Sequence, residues 1–244
     1  MPGDHISKYA DDSYLIMPPT NSASINNELV HVAQWASHNN LKLNQSKSTE
    51  MIVHKPRVKK DTVNPCAPIP GVKRVDSMVI LGVTVQDNLS FDEHVNRIAT
   101  QCAQQMYALR VLSSHGLYGQ NMWEVTRSTL VSKIMYGSQV WWGFANASQQ
   151  NRLQSILNRA IKQKFLPPNF PSLADLCEKA DTVLFSNVLR NSDHVLYKLL
   201  PPLKSTGYSL RKRIHDRALP SLSDSKDSLI RKTFIHRMVY KDTY

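Results

Sequence analysis

The sequence predicts an α+β fold: a small antiparallel sheet with one or two helices over residues 1–90, followed by a mostly α-helical region. Period-two and β-rich runs are confined to the first part of the chain. From Ser90 onward, apolar residues recur at helical spacing in one segment after another.

The elements follow in order. Residues 6–10 read as a strand, Asp11-Asp12 as the turn, and Tyr14 to Met17 as the returning strand, ended by Pro18-Pro19. Asn21 to Asn39 reads as a helix, with Ile25, Leu29, Val32, Ala33 and Ala36 on one face, broken at Asn39-Asn40. Leu41 and Leu43 start an extended piece, and Glu50 to His54 reads as a strand. Residues 55–70 carry Pro56, Pro65, Pro68 and Pro70 among basic residues, which marks a linker. Ser77 to Val85 is a β-rich run. Ser90 and Glu93 have capping-box spacing, and Phe91, Val95, Ile98, Cys102, Leu109 and Leu112 continue as one apolar stripe. Further helices are expected near 120–136, 148–165, 172–179 and 182–200, and a last one near 227–240. The 148–165 segment pairs a face of Leu153, Ile156, Leu157, Ala160 and Ile161 with an outer face of Arg152, Arg159, Lys162 and Lys164.

Composition narrows the class. Hydrophobic residues make up 41% and charged residues 20%, enough apolar material for a core. No apolar run is long enough to cross a bilayer, and Met1 to Lys8 has no signal-peptide core. An intracellular chain with no membrane partner is expected, in nucleus or cytoplasm. Three widely spaced cysteines, Cys66, Cys102 and Cys177, favour a reducing compartment and no zinc knuckle. The net charge of +11 is unevenly spread. Residues 1–100 hold 10 basic and 10 acidic side chains, residues 101–200 hold 10 and 5, and residues 201–244 hold 10 and 4. A basic C-terminal part suits a polyanion, and it equally suits a plain solvated surface.

Tyr9-Ala10-Asp11-Asp12 is the sharpest chemical signal. Adjacent carboxylates on a tight turn repel each other and call for a counter-ion, and a hard divalent cation with oxygen ligands supplies one. Asp-Asp is also ordinary turn chemistry. Three features in order sharpen the choice. Lys8-Tyr9-Ala10-Asp11-Asp12 resembles the metal-binding palm motif of reverse transcriptases, specifically the non-LTR, LINE-type (jockey-like) retrotransposon branch. Leu41 to Ser48, with Asn44 and Lys47 three apart, resembles the next motif. Leu81-Gly82-Val83-Thr84-Val85, followed by Asp87, Phe91 and His94, resembles the one after it, and Tyr136-Gly137 with Val140-Trp141 resembles a further aromatic stretch of this branch.

The resemblance implies an incomplete antiparallel palm sheet over 1–90, thumb-like helices over 91–170 and a basic helical region over 171–244. It implies an RNA-directed DNA polymerase that uses Mg2+, an RNA template, a DNA primer and dNTP. Two ions about 4 Å apart would activate a 3′-hydroxyl and stabilise the leaving pyrophosphate. Asp11 and Asp12 would be the metal ligands and catalytic carboxylates. Lys47 would act near the triphosphate, or is simply an exposed lysine. Tyr9, Leu81, Gly82 and Val83 would meet nucleic acid at the primer end, with Gly82 equally suited to a bulge. Arg152, Arg159 and Lys162 would follow a phosphate backbone. Trp141 and Trp142 could stack on bases and are more often core. A further aspartate of the family lies on a strand well upstream of the first motif. With eight residues before Tyr9 that strand is not expected here, so the chain alone is expected to be inactive. Other readings are a non-catalytic basic helical module that binds nucleic acid, or a decayed element without function.

Overall fold

Residues on either side of Ala10-Asp11 fold back on each other. In the computed structural model, which describes residues 3–54, 66–204, 215–219 and 228–241, the chain divides into Met1–Leu89 and Ser90–Tyr244.

In the first unit, β1 (His5–Tyr9) pairs antiparallel with β2 (Asp12–Ile16), from His5↔Ile16 to Tyr9↔Asp12. The loop is Ala10-Asp11, with Ala10 at φ 51°. The turn lies one residue earlier than expected, so Asp12 is a strand residue. A two-residue loop with positive φ at its first position matches the twist of the flanking strands. A 3-10 turn (Pro19–Ser24) leads into α1 (Ile25–His38). That helix stops where the asparagines predict. Asn40 takes φ 56°, and Leu41 N–H returns to the Ala36 carbonyl at 2.8 Å, a closing bond of the Schellman type. The Lys8 ammonium lies 4.0 Å from the centre of the Trp35 ring and ties the hairpin to α1.

The expected strand over Glu50–His54 shrinks to β3 (Thr49–Glu50), which runs parallel to β4 (Lys73–Arg74). Its partner is only two residues long. The Glu50 carboxylate accepts from Arg74 Nε at 2.9 Å and from Ile69 N–H at 3.3 Å. Most of the proline-rich linker, residues 55–65, lies outside the described residues. The run over Ser77–Val85 is a hairpin, β5 (Ser77–Ile80) against β6 (Val83–Gln86). Its loop is Leu81 (φ 47°) and Gly82 (φ 83°), positive at both positions as a type I′ turn requires. Among the described residues the strands therefore form three two-stranded ladders, one of them parallel.

The second unit is helical. Helix α2 (Asp92–Ser114) starts one residue later than the Ser90–Glu93 spacing predicts. Phe91 is the N-cap and makes no side-chain cap bond, while Ser90 Oγ accepts from Asp92 N–H at 3.1 Å. Phe91, Val95, Ile98, Cys102 and Leu109 are buried as the stripe predicts, together with Ala99 and Met106. Leu112 is 40% exposed because the helix outruns the core. Helix α3 (Gly119–Thr126) passes through a π turn at Arg127–Val131 into α4 (Ser132–Met135). Gly137, at φ 60°, turns the chain into α5 (Ser138–Trp141). Helix α6 (Ala147–Lys162) has a true capping box, Asn146 with Gln149, and buries Leu153, Ile156, Leu157 and Ala160. Each of the three larger side chains among these stabilises by about 1.5–3 kcal/mol when removed from water.

One helix, α7 (Leu173–Arg190), replaces the two expected over 172–200. The last helix, α8 (Phe234–Tyr240), is shorter than expected. It packs Met238 and Val239 against Phe185. Trp141 is fully buried, and its indole N–H donates to the Tyr136 carbonyl at 3.0 Å. It is core and has no face to offer a base. Among the described residues no helix is long and apolar enough to cross a membrane.

Candidate metal-binding hairpin

The β1–β2 loop carries Asp11 at its tip and Asp12 at the first rung of the ladder. Both are exposed, and among the described residues neither forms an ion pair. Two unneutralised carboxylates one residue apart raise the local negative potential, which an oxygen-seeking divalent cation would relieve. Tyr9, directly across the ladder from Asp12, is 66% exposed and flanks the pair.

Sequence reasoning missed Tyr14. It lies two residues after Asp12 on the same face of β2. Its hydroxyl donates to Asp12 Oδ2 at 3.4 Å and also meets the Leu81 backbone. Burial, and then the Asp12 charge, hold its phenol above the usual tyrosine range. The i, i+2 spacing was visible in the sequence. The meeting with Leu81 was not, because it depends on Leu81-Gly82 being a turn. That contact brings the second hairpin's tip beside the carboxylate hairpin, within the first unit.

The remaining candidates are placed as follows. Leu81 is 42% exposed on the turn, but Val83 is buried at 7%, so its side chain is not available to a primer. Lys47 closes a 3-10 turn (Gln45–Lys47), where Asn44 Oδ1 accepts from Lys47 N–H at 3.3 Å and from the Ser46 hydroxyl at 2.7 Å. Its ammonium is exposed, and among the described residues no hydrogen bond or ion pair joins it to Asp11 or Asp12. Arg152, Arg159 and Lys162 are exposed on α6 in the second unit.

Asp11 and Asp12 are the right donors for Mg2+ and fall short in number. Among the described residues no group of three or more His, Cys, Asp or Glu side chains is placed to share a cation. The two buried cysteines, Cys102 and Cys177, do not compete for the role. Burial pushes the Cys102 thiol up to about 11 and the Cys177 thiol up to about 12, so neither is a thiolate near neutral pH.

No protein-family model and no solved structure matches the chain. A likeness is found to one class of enzyme, the RNA-directed DNA polymerases of transposons. The chain is 26% identical over 177 residues to the probable RNA-directed DNA polymerase from transposon BS of Drosophila melanogaster, covering 64% of this chain and 18% of that protein. It thus spans less than a fifth of that relative's length. The likeness supports the reverse transcriptase reading of the sequence motifs.

Proposed function

We propose that this chain is part of a non-LTR retrotransposon reverse transcriptase, with palm-derived residues in the first unit and thumb-like helices beginning in the second. The observation that carries the proposal is the exposed Asp11–Asp12 pair on a tight antiparallel turn, without an ion pair among the described residues. The motif order and the Drosophila likeness add to it. Asp11 and Asp12 would hold Mg2+, which in such enzymes activates the primer hydroxyl and stabilises the leaving pyrophosphate. The residues themselves orient and screen. Tyr14 fixes the Asp12 carboxylate by donating to it, and the Leu81-Gly82 turn lies beside it, where a primer end would rest. RNA template, DNA primer and dNTP are the partners this reading requires.

With two carboxylates the chain alone binds metal weakly and does not extend a primer. The test is a chimera in which this chain replaces the matching segment of the Drosophila protein. Mg2+-dependent extension of a DNA primer on an RNA template is expected, and Asp11→Asn or Asp12→Asn abolishes it. A folded chimera that is inert at every Mg2+ concentration, beside an active parent, contradicts the proposal.

A further inference from the structure

Helices α2 and α6 run parallel, and three side-chain rungs mark their seam. Gln149 Nε2 donates to Asp92 Oδ1, Arg152 Nη1 donates to Asn96 Oδ1 at 2.5 Å, and Arg110 Nε donates to Gln163 Oε1 at 3.3 Å. At 100° per residue, Asn96, Ala103, Tyr107 and Arg110 fall within about 60° of one another on α2. Arg152, Arg159 and Gln163 fall within about 40° on α6. The seam is therefore one continuous stripe, exposed at every one of these positions except the half-buried Gln163.

Its charge is one-sided. Helix α6 contains no Asp or Glu, and α2 contains none from Val95 to Ser114. Acids occur only at the first turn of α2, as Asp92 and Glu93. Where a solvated helix pair would set Arg against Glu, this seam sets Arg110 and Arg152 against the neutral amides of Gln163 and Asn96. Each guanidinium is oriented by one bond and keeps its whole charge and its other N–H donors. Among the described residues Arg110, Arg152 and Arg159 form no ion pair. Arg152 and Arg159 stand about 10 Å apart along the axis. Tyr107, at 67% exposure, presents an aromatic face between the two arginine rungs.

We infer that the α2–α6 seam is a track for single-stranded nucleic acid, with Arg110, Arg152 and Arg159 on successive phosphates and Tyr107 stacked on a base. Oriented, unneutralised arginines recognise a phosphate backbone. An exposed aromatic among them is the feature that prefers unpaired bases. The inference adds Arg110, Tyr107 and the amide rungs to the basic face of α6. It stands on the second unit alone, so it and the polymerase reading can fail separately.

The test is fluorescence anisotropy of the full chain with labelled oligo-rU, oligo-dT and a DNA duplex across a salt series. Both single strands are expected to bind more tightly than the duplex. The triple change Arg110→Gln, Arg152→Gln, Arg159→Gln is expected to weaken binding at least about tenfold at low salt. It should also lower the salt slope by about 2, since each phosphate contact on a single strand contributes about 0.7. The triple change to Lys keeps most of the affinity. Tyr107→Ala costs about tenfold on single strands and little on duplex. The charge-matched control Lys179→Gln, Lys198→Gln, Lys241→Gln, at sites of the second unit outside α2 and α6, leaves the slope near the parent's. Equal losses in the seam and control variants, tighter binding of duplex, or no binding of the parent at low salt overturns the inference. Preference between the rU and dT arms shows whether RNA or DNA is the ligand.

Discussion

His94 lies in the first turn of α2, 2% exposed and edge-on to Trp141, with ring centres 5.8 Å apart. Burial, helped by the nearby Arg97 charge, lowers its pKa from 6.5 to about 4. A histidine depressed in the folded state is protonated first in the unfolded chain. The stability it contributes is present above pH 6.5 and lost as the pH falls from 6.5 towards 4. At about 1.4 kcal/mol per unit this amounts to roughly 3 kcal/mol at most. Urea unfolding of the parent and of His94→Gln at pH 7 and pH 4.5 checks it. The parent's stability is expected to drop more steeply than the variant's over that interval. Residue-level reading of the sequence worked where residue type decides packing, as at the buried Trp141. It missed Val83, because a valine in a β run reads the same whether it lines the core or the surface.

At the scale of elements, α6 was legible almost residue by residue. Four of its five predicted core positions, Leu153, Ile156, Leu157 and Ala160, are buried, because a strong apolar period survives any tertiary context. Leu157→Ala is expected to destabilise the second unit by about 2–5 kcal/mol, read from its urea midpoint. The Ser77–Val85 run reads from sequence only as β-rich, with no turn marked inside it, because Leu81 is a poor turn residue. Only its partner Gly82 hinted at positive φ, and a leucine held there is strained by about 1–3 kcal/mol. Helix α7 runs unbroken through Asp181, which falls between the two helices expected from sequence. Asp181 is 3% exposed and accepts from Arg237 Nη1 at 2.7 Å, a partner 56 residues away with no local signal. Close packing reinforces that docking, since a Cβ on Gly143 would overlap the Lys232 carbonyl and the Arg237 side chain. Asp181→Ala leaves the Arg237 charge without its partner and is expected to cost about 3–5 kcal/mol. The double change Asp181→Leu, Arg237→Met should cost much less. Chemical denaturation of the three variants decides it, and equal losses would contradict a role for the ion pair.

Over the whole molecule, burial divides unevenly between the two units. Among the described residues of the first unit only Ala36 and Val83 are buried apolar side chains, while Ile6, Tyr9, Ile16, Trp35 and Val79 are each close to half exposed or more. Two-stranded ladders with so little covering are marginal alone, and the exposed apolar faces suit a sheet that further strands would complete. The second unit holds nearly all of the core. Native-state hydrogen exchange should therefore show weak protection in α1 and the β1–β2 and β5–β6 hairpins, and protection near the global value in α2, α6 and α7. Equal protection in both units would contradict this division. The change of period near residue 90 in the sequence coincides with the division between the two units. It did not show the poverty of the first core, since apolar content counts residues without saying what covers them.

The central claim is that Asp11 and Asp12 form part of a divalent-cation site, and paramagnetic broadening tests it most directly. Substoichiometric Mn2+ added to the isotopically labelled full chain should broaden the amide signals of Tyr9 to Tyr14 first. Excess Mg2+ should restore them, and Asp11→Asn with Asp12→Asn should remove the effect. Broadening spread evenly over the acidic residues, or centred elsewhere while the hairpin signals stay sharp, would contradict the account.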